Sequence, residues 1–340
     1  MTSTTYARAA GPAGPADAAP GGAPTTLLAD DGRALAATWT EPAGRGAHAV
    51  AVVSPATGVP RGFYRGFAQW LATRGYAVLT YDYRGIGGSR AAGPLARERA
   101  TMRDWALRDM SAALAAAEAR RGGRGLPLLL VGHSFGGNAI GFARGVERAD
   151  ALLLVAAGLG ESRLYPGRHG VQAHAFFRAV LPAAVATFGH LPGWLLGGEP
   201  LPPGVARDWA RWGGTRGWAM GDPAMRVHSS YRGIAAPVHV WNVSDDLSFA
   251  PPRAVDALAA AFPLAAVQRH TLAPAQAGGA RLGHFGAFRR DVGPQVWPRL
   301  LAPLDAAVPA LQSPDDRDRG ARGAAAAGHR DGRRDPAVDG

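Results

Sequence analysis

The chain has 340 residues, 47% of them hydrophobic, enough to bury one large core with an insertion, or two domains. It contains no cysteine, which excludes disulfides, thiolate nucleophiles and thiolate metal sites, so a nucleophile has to be an oxygen or a nitrogen. The formal charge of +11 rests on arginine with no lysine, scattered without a basic helix, an RNA-binding aromatic motif or zinc-finger spacing, and this argues against a nucleic-acid partner.

No uninterrupted apolar run approaches the ~20 residues of a membrane span. The N-terminus also lacks the basic patch and apolar stretch of a signal peptide. A cytoplasmic protein with no membrane span is expected. Residues 1–24 are mostly Ala, Gly, Pro and Thr and are expected to form a disordered tail. Residues 25–29 and 34–40 flank the turn signal Asp30-Asp31-Gly32 and read as an antiparallel hairpin at a sheet edge. Residues 48–54 (HAVAVVS) read as a buried strand. In 63–74, Phe67, Trp70 and Leu71 fall at helical spacing, and 77–81 is the next strand. The turn that follows, Asp82-Tyr83-Arg84-Gly85-Ile86-Gly87-Gly88-Ser89, resembles a phosphate cradle only superficially because the Walker lysine is missing. Asp82 and Arg84 are expected to tie backbone together there.

Residues 102–120 read as a long Ala-rich helix with Trp105, Leu107, Met110 and Leu114 inward. It leads into the apolar run 128–131, which breaks at Gly132-His133-Ser134-Phe135-Gly136-Gly137 before a segment that can continue as a helix. Residues 151–156 form another apolar strand, and strands alternating with helices imply a parallel sheet covered on both faces. The period then changes: 158–231 has Gly and Pro breaks and the cluster Trp194, Trp209, Trp212 and Trp218. We read this stretch as an inserted helical cap dividing a core of 25–157 and 232–311. Tryptophans inward with Arg207 and Arg211 in solvent is the simplest account of its 201–212 helix; Trp194, Phe177 and Phe188 as a pocket wall is the sharper one. Strand 237–242, helix 252–261, strand 265–271 and helix 286–306 follow. Residues 312–340 have no apolar period and are expected to be disordered.

Strand, sharp turn and helix around Ser134 form the context that GxSxG chemistry requires, with Gly132 and Gly136 permitting the close approach of strand and helix. A serine hydroxyl needs a base within hydrogen-bond reach and an acid to orient that base. Strand 238–241 leads into Ser244-Asp245-Asp246-Leu247, at the strand end where open parallel sheets place their sites. Gly283-His284-Phe285-Gly286 offers a histidine in a flexible loop. His133 reads as a packed elbow residue. His169 and His174 have no supporting acid at ligand spacing, so no metal site is assigned.

DYRGIGGS, GHSFGG, SDD and GHFGAF, with the order Ser, Asp, His, are similar to motifs of the α/β-hydrolase superfamily, which the chain resembles from about residue 25 to 304. LPPGVARDWARW (residues 201–212) further resembles a bacterial branch of predicted α/β-hydrolases. The resemblance implies an α/β-hydrolase fold: a mostly parallel central sheet with helices on both faces and an inserted helical cap. It also implies a catalytic triad of Ser134, Asp246 and His284, Asp246 being favoured over Asp245 by its distance from the strand start. The oxyanion donors would be the N–H of Phe135 and one from Ala56 or Thr57, since Pro55 has none. The implied activity is ester or thioester hydrolysis of a small-molecule substrate without a cofactor. Acyl transfer, another reaction of the same fold, and non-catalytic ligand binding are the alternatives.

Overall fold

Two short runs of Val, Ala and Leu, Ala49–Ser54 (β3) and Leu128–His133 (β5), lie side by side as parallel strands with every residue buried. That is the pattern of strands covered by helices on each face. The computed structural model, which describes residues 22–44, 46–122 and 125–312, builds an eight-stranded sheet around them. Its other strands are β1 (Gly22–Leu28), β2 (Ala34–Thr40), β4 (Tyr76–Tyr81), β6 (Ala151–Val155), β7 (Val238–Val243) and β8 (Val267–Leu272). The order is β1-β2-β4-β3-β5-β6-β7-β8. β1 and β2 are antiparallel additions at one edge, and the remaining pairs are parallel.

Helix α1 (Arg65–Thr73) follows β3. Helix α2 (Met102–Asp104) passes through a π-helical turn at Trp105–Asp109 into α3 (Met110–Arg121), and α4 (Phe135–Asn138) follows β5. Between β6 and β7 the described chain is helical, with α5 (Gly167–Ala175), α6 (Leu181–Phe188), α7 (Pro203–Gly213) and α8 (Pro223–Arg226). Helices α9 (Pro252–Ala259) and α10 (Gly293–Ala307) complete the chain. Side chains alternate across the sheet: Val50, Val52, Leu128 and Leu130 pack with Trp105, Leu114 and Leu258, whereas Ala51, Val53, Leu129 and Val131 pack with Phe67, Leu71 and Leu300. A slip of one residue would exchange the two sets, so the register is firmly specified. From β3 the chain moves to β4 on one side and later to β5 on the other, which opens a crevice at the carboxyl ends of β3 and β5.

Several elements differ from expectation. β1 starts at Gly22, before residue 25, because its pairing with β2 runs continuously from Gly22↔Thr40 to Leu28↔Ala34; the expected tails otherwise fall on 1–21 and 313–340, outside the described residues. Residues 286–288 form a separate 3-10 turn, and α10 begins only at Gly293 with Pro294 in its first turn, a position where the missing N–H costs nothing. α4 is four residues long. The Tyr231 hydroxyl donates to the Asn138 carbonyl and Ser230 N donates to the Gly141 carbonyl at 2.7 Å, so acceptors that a longer helix would use are taken. One helix, Gly167–Phe188, is long and apolar enough by length and composition to cross a membrane, which uninterrupted apolar runs did not reveal because Arg168 and Arg178 punctuate it.

Candidate active site

Ser134 sits between β5 and α4 with φ 52° and ψ −119°, a left-handed conformation costly for a residue with a side chain and held here by close packing. A Cβ on Gly136 would lie 2.0 Å from the Ser54 carbonyl oxygen, and one on Gly132 would lie 2.5 Å from Gly137 Cα. Only glycine lets the strand and helix approach this closely. The turn leaves Ser134 half-buried at the rim of a cleft, with no hydrogen bond to its hydroxyl among the described residues.

The structure pairs His284 with Asp246. His284 Nδ1 donates to Asp246 Oδ2 at 2.6 Å, both side chains are buried, and Asp246 Oδ1 accepts from Phe249 N at 3.2 Å. The Phe249 ring stacks on the imidazole with centroids 4.7 Å apart. Asp245 points elsewhere: its carboxylate accepts from Leu282 N at 3.1 Å and Gly283 N at 2.9 Å. One aspartate therefore holds the ring of His284 and its neighbour holds the loop that carries it. Ser134 and His284 line the same cleft.

Of the two expected alternatives for the second oxyanion donor, Ala56 N–H donates to Tyr64 Oη at 2.9 Å. The N–H groups of Phe135, directly after Ser134, and of Thr57 have no acceptor among the described residues, and Thr57 lines the cleft. Tyr64 Oη lies 2.7 Å from His133 Nδ1, and His133 Nε2 lies 2.9 Å from the His284 carbonyl. A carbonyl only accepts, so Nε2 carries the proton, Nδ1 accepts, and the Tyr64 hydroxyl donates to it. Burial, with His284 nearby, holds the His133 imidazole well below its ordinary range, consistent with this neutral tautomer. His133 is a packed elbow residue as expected, and it also joins the segment carrying Tyr64 to the loop carrying His284. Tyr64 carries no local signal in the sequence.

In the turn after β4, Asp82 ties backbone together as expected, whereas the Arg84 side chain holds carboxylates. Asp82 accepts from the backbone and side chain of Arg61 and from Gly88 N at 2.9 Å. Arg84 donates to Asp109 and to Asp31, each at 2.7 Å. Gly87 N donates to Glu199 Oε2 at 2.7 Å, which fixes the segment beside Gly198 at the cleft.

The cleft walls are Val59, Leu196, Trp209, Phe249 and Phe285, with Ala56 and Thr57 also lining it. The proposed wall of Trp194, Phe177 and Phe188 is therefore corrected. Phe177 is buried against Trp209, with ring centroids 6.0 Å apart, whereas Phe188 and Trp194 are 49% and 73% exposed. Trp209 shares the inward face of α7 with Val205 and Trp212, packs partly buried against the same core, and lines the cleft. His169 contacts Ser248 Oγ at 3.3 Å, His174 is exposed, and no group of three metal-ligating side chains occurs among the described residues.

The profile of the family described as serine aminopeptidase, S33, matches residues 46–197, a stretch that includes Ser134 and ends before Asp246 and His284. Among solved structures, a soluble variant of monoglyceride lipase from Saccharomyces cerevisiae, in complex with a substrate analogue, is similar over 84% of this chain and 96% of its own, with TM-score 0.58 and 12% identity. An esterase from Pyrococcus furiosus is similar over 83% and 90%, with TM-score 0.51 and 15% identity. The α/β-hydrolase GrgF from Penicillium sp. sh18 is similar over 84% and 98%, with TM-score 0.51 and 20% identity. At these identities the likeness is one of fold. No curated protein matches the sequence.

Proposed function

Because the chain has the α/β-hydrolase fold and its residues 46–197 match the S33 family profile, we propose that it is a serine hydrolase of that superfamily, cleaving an ester or thioester of a small, largely apolar substrate through an acyl-enzyme on Ser134. The observation that carries this reading is the 2.6 Å contact of His284 Nδ1 with Asp246, beside a cleft that Ser134 and His284 share. With Nδ1–H given to the carboxylate, Nε2 is the basic nitrogen. It takes the Ser134 proton as Oγ attacks the carbonyl carbon, and the oxyanion meets the N–H groups of Phe135 and Thr57. The imidazolium, held by Asp246, protonates the leaving alcohol or thiol. Water then gives a proton to the same nitrogen, attacks the acyl-enzyme, and the acid departs as the proton returns to Ser134. These steps use only the chain's own groups and water.

The S33 match raises a peptidase reading. An aminopeptidase needs an anion to hold the substrate's ammonium group, and the cleft lining contains no carboxylate, which favours an uncharged, apolar acyl group. A fluorophosphonate probe tests the chemistry: one label per chain, abolished by Ser134→Ala, is expected. Cleavage of p-nitrophenyl esters or acyl-CoA thioesters in preference to aminoacyl p-nitroanilides is expected alongside it. Folded protein that takes no label and cleaves none of these would be a ligand-binding protein on a hydrolase scaffold.

A further inference from the structure

The longest helix between β6 and β7 has a mostly apolar outer face, interrupted by Arg168, Gln172, His174, Arg178 and Thr187. From Gly167 to Phe188, α5, a π-helical turn at Phe176–Val180 and α6 run together for 22 residues, yet only 22% of its apolar window is buried. Phe177, Leu181, Ala184 and Val185 turn inward, while Val171, Ala175, Ala179, Pro182 and Ala186 recur at helical spacing on the outside. An exposed helix face that is apolar and punctuated by cationic side chains suits the surface of a lipid layer. Val171 is 72% exposed, and Trp194, at 73%, meets Phe188 edge-on with centroids 6.5 Å apart.

This face also has one sign of charge. Residues 162–198 contain no Asp or Glu. Arg168 and Arg178 are exposed and have no acidic partner among the described residues. The inner face is committed to the fold, since Phe177 packs on Trp209 and leaves no room for a Cβ on Gly213; the helix is thus placed to lie on a surface, not to span one. Against a second copy of the chain, a twofold contact would set the same unpaired arginines near each other. Anionic headgroups would instead match them.

We propose that this face docks on an anionic phospholipid surface, with the helix in the interface plane, Trp194 and Phe188 inserted, and Arg168 and Arg178 at headgroup level. The site lies close by. Tyr165 Oη donates to the Phe249 carbonyl at 2.7 Å, and His169 contacts Ser248, so the start of the helix is tied to a loop that lines the cleft; Leu196, two residues beyond Trp194, lines it too. Docking would bring the cleft mouth to a source of amphiphilic substrate. The surface inference itself does not depend on the hydrolase reading.

The test is co-sedimentation of the full chain with phosphatidylcholine vesicles with and without phosphatidylglycerol. Binding to the phosphatidylglycerol vesicles, weakened by high salt, is expected. Combining Phe188→Ser with Trp194→Ser should lower partitioning by about tenfold or more, with the circular-dichroism melt unchanged. Arg168→Gln with Arg178→Gln should remove the preference for phosphatidylglycerol. No binding by folded wild type, or binding that the aromatic double variant leaves intact, would overturn the proposal. So would a wild-type dimer in light scattering that the same variant converts to monomer, which would assign the face to a second copy.

Discussion

The hydroxyl of Tyr64 lies 2.7 Å from Nδ1 of His133, inside the protein and beneath the cleft. Through that contact the loop after β3, the end of the nucleophile strand and the backbone of His284 are joined in one buried chain of hydrogen bonds. Two buried side chains thereby tie the loop that carries Ala56 and Thr57 to the loop that carries His284.

Tyr64→Phe should leave Ala56 N–H and His133 Nδ1 without their partner in the interior, each an unsatisfied group worth ~1–3 kcal/mol. Esterase kcat should fall about tenfold or more with KM within a factor of about three, because the loss falls on transition-state positioning. Denaturant unfolding and steady-state kinetics check the two effects; a KM-only change would contradict the positioning role.

A pH dependence follows from His133. Its folded pKa is held well below the ordinary value by burial, while the unfolded imidazole titrates near ~6.5. Below that pH the unfolded state binds the extra proton, so stability is fully present above ~6.5 and declines as pH falls. His239, pushed down to about 4 by burial with His270 beside it, contributes in the same direction between these values. Urea unfolding of wild type and His133→Asn across this range should show the variant's slope shallower by up to ~1.4 kcal/mol per pH unit, the equivalent of one proton. Parallel slopes would contradict a neutral buried His133.

Asp245 and Asp246 should separate cleanly. Asp246→Asn removes the charge that orients and stabilises the His284 imidazolium, and kcat should drop by about 10⁴-fold. Asp245→Asn keeps one acceptor for the Leu282 and Gly283 amides. It should cost ~1–2 kcal/mol of stability and far less activity. Equal losses in kcat would place both carboxylates on the imidazole.

Much of this site could be read from local pattern. Strands of period two, glycines at 132 and 136, and a histidine between Gly283 and Gly286 each signal within a few residues, and the sheet then brings them together. The partner of Ala56 N–H could not be read that way, because the phenol that accepts it comes from the start of α1 and nothing in the intervening residues announces the bond. Trp209 and Trp194 are both tryptophans in a Gly- and Pro-broken stretch. Which one faces the cleft is decided by how α7 packs on α6 and on the π-helical turn at Phe176–Val180, a tertiary matter. The four-residue length of α4 likewise depends on Tyr231, almost a hundred residues away.

Trp209→Ala should enlarge the acyl side of the cleft. Among p-nitrophenyl esters, the chain length giving the highest kcat/KM should increase, with kcat for the shortest ester changed less than tenfold. A profile that keeps its optimum would place the acyl group along Phe249 and Phe285 instead.

Ala156 N donates to the Trp241 carbonyl at 2.9 Å, and Val155 pairs with Trp241. The chain leaves the sheet at Val155 and re-enters it at Val238, which lies opposite Leu152 on the neighbouring strand, three residues short of the point of departure. Among the described residues, the segment between Val155 and Val238 adds no strand to the eight beneath it. An ancestor could exchange the whole segment for another, acquiring a new entrance and a new diet, while the serine and histidine below kept their places.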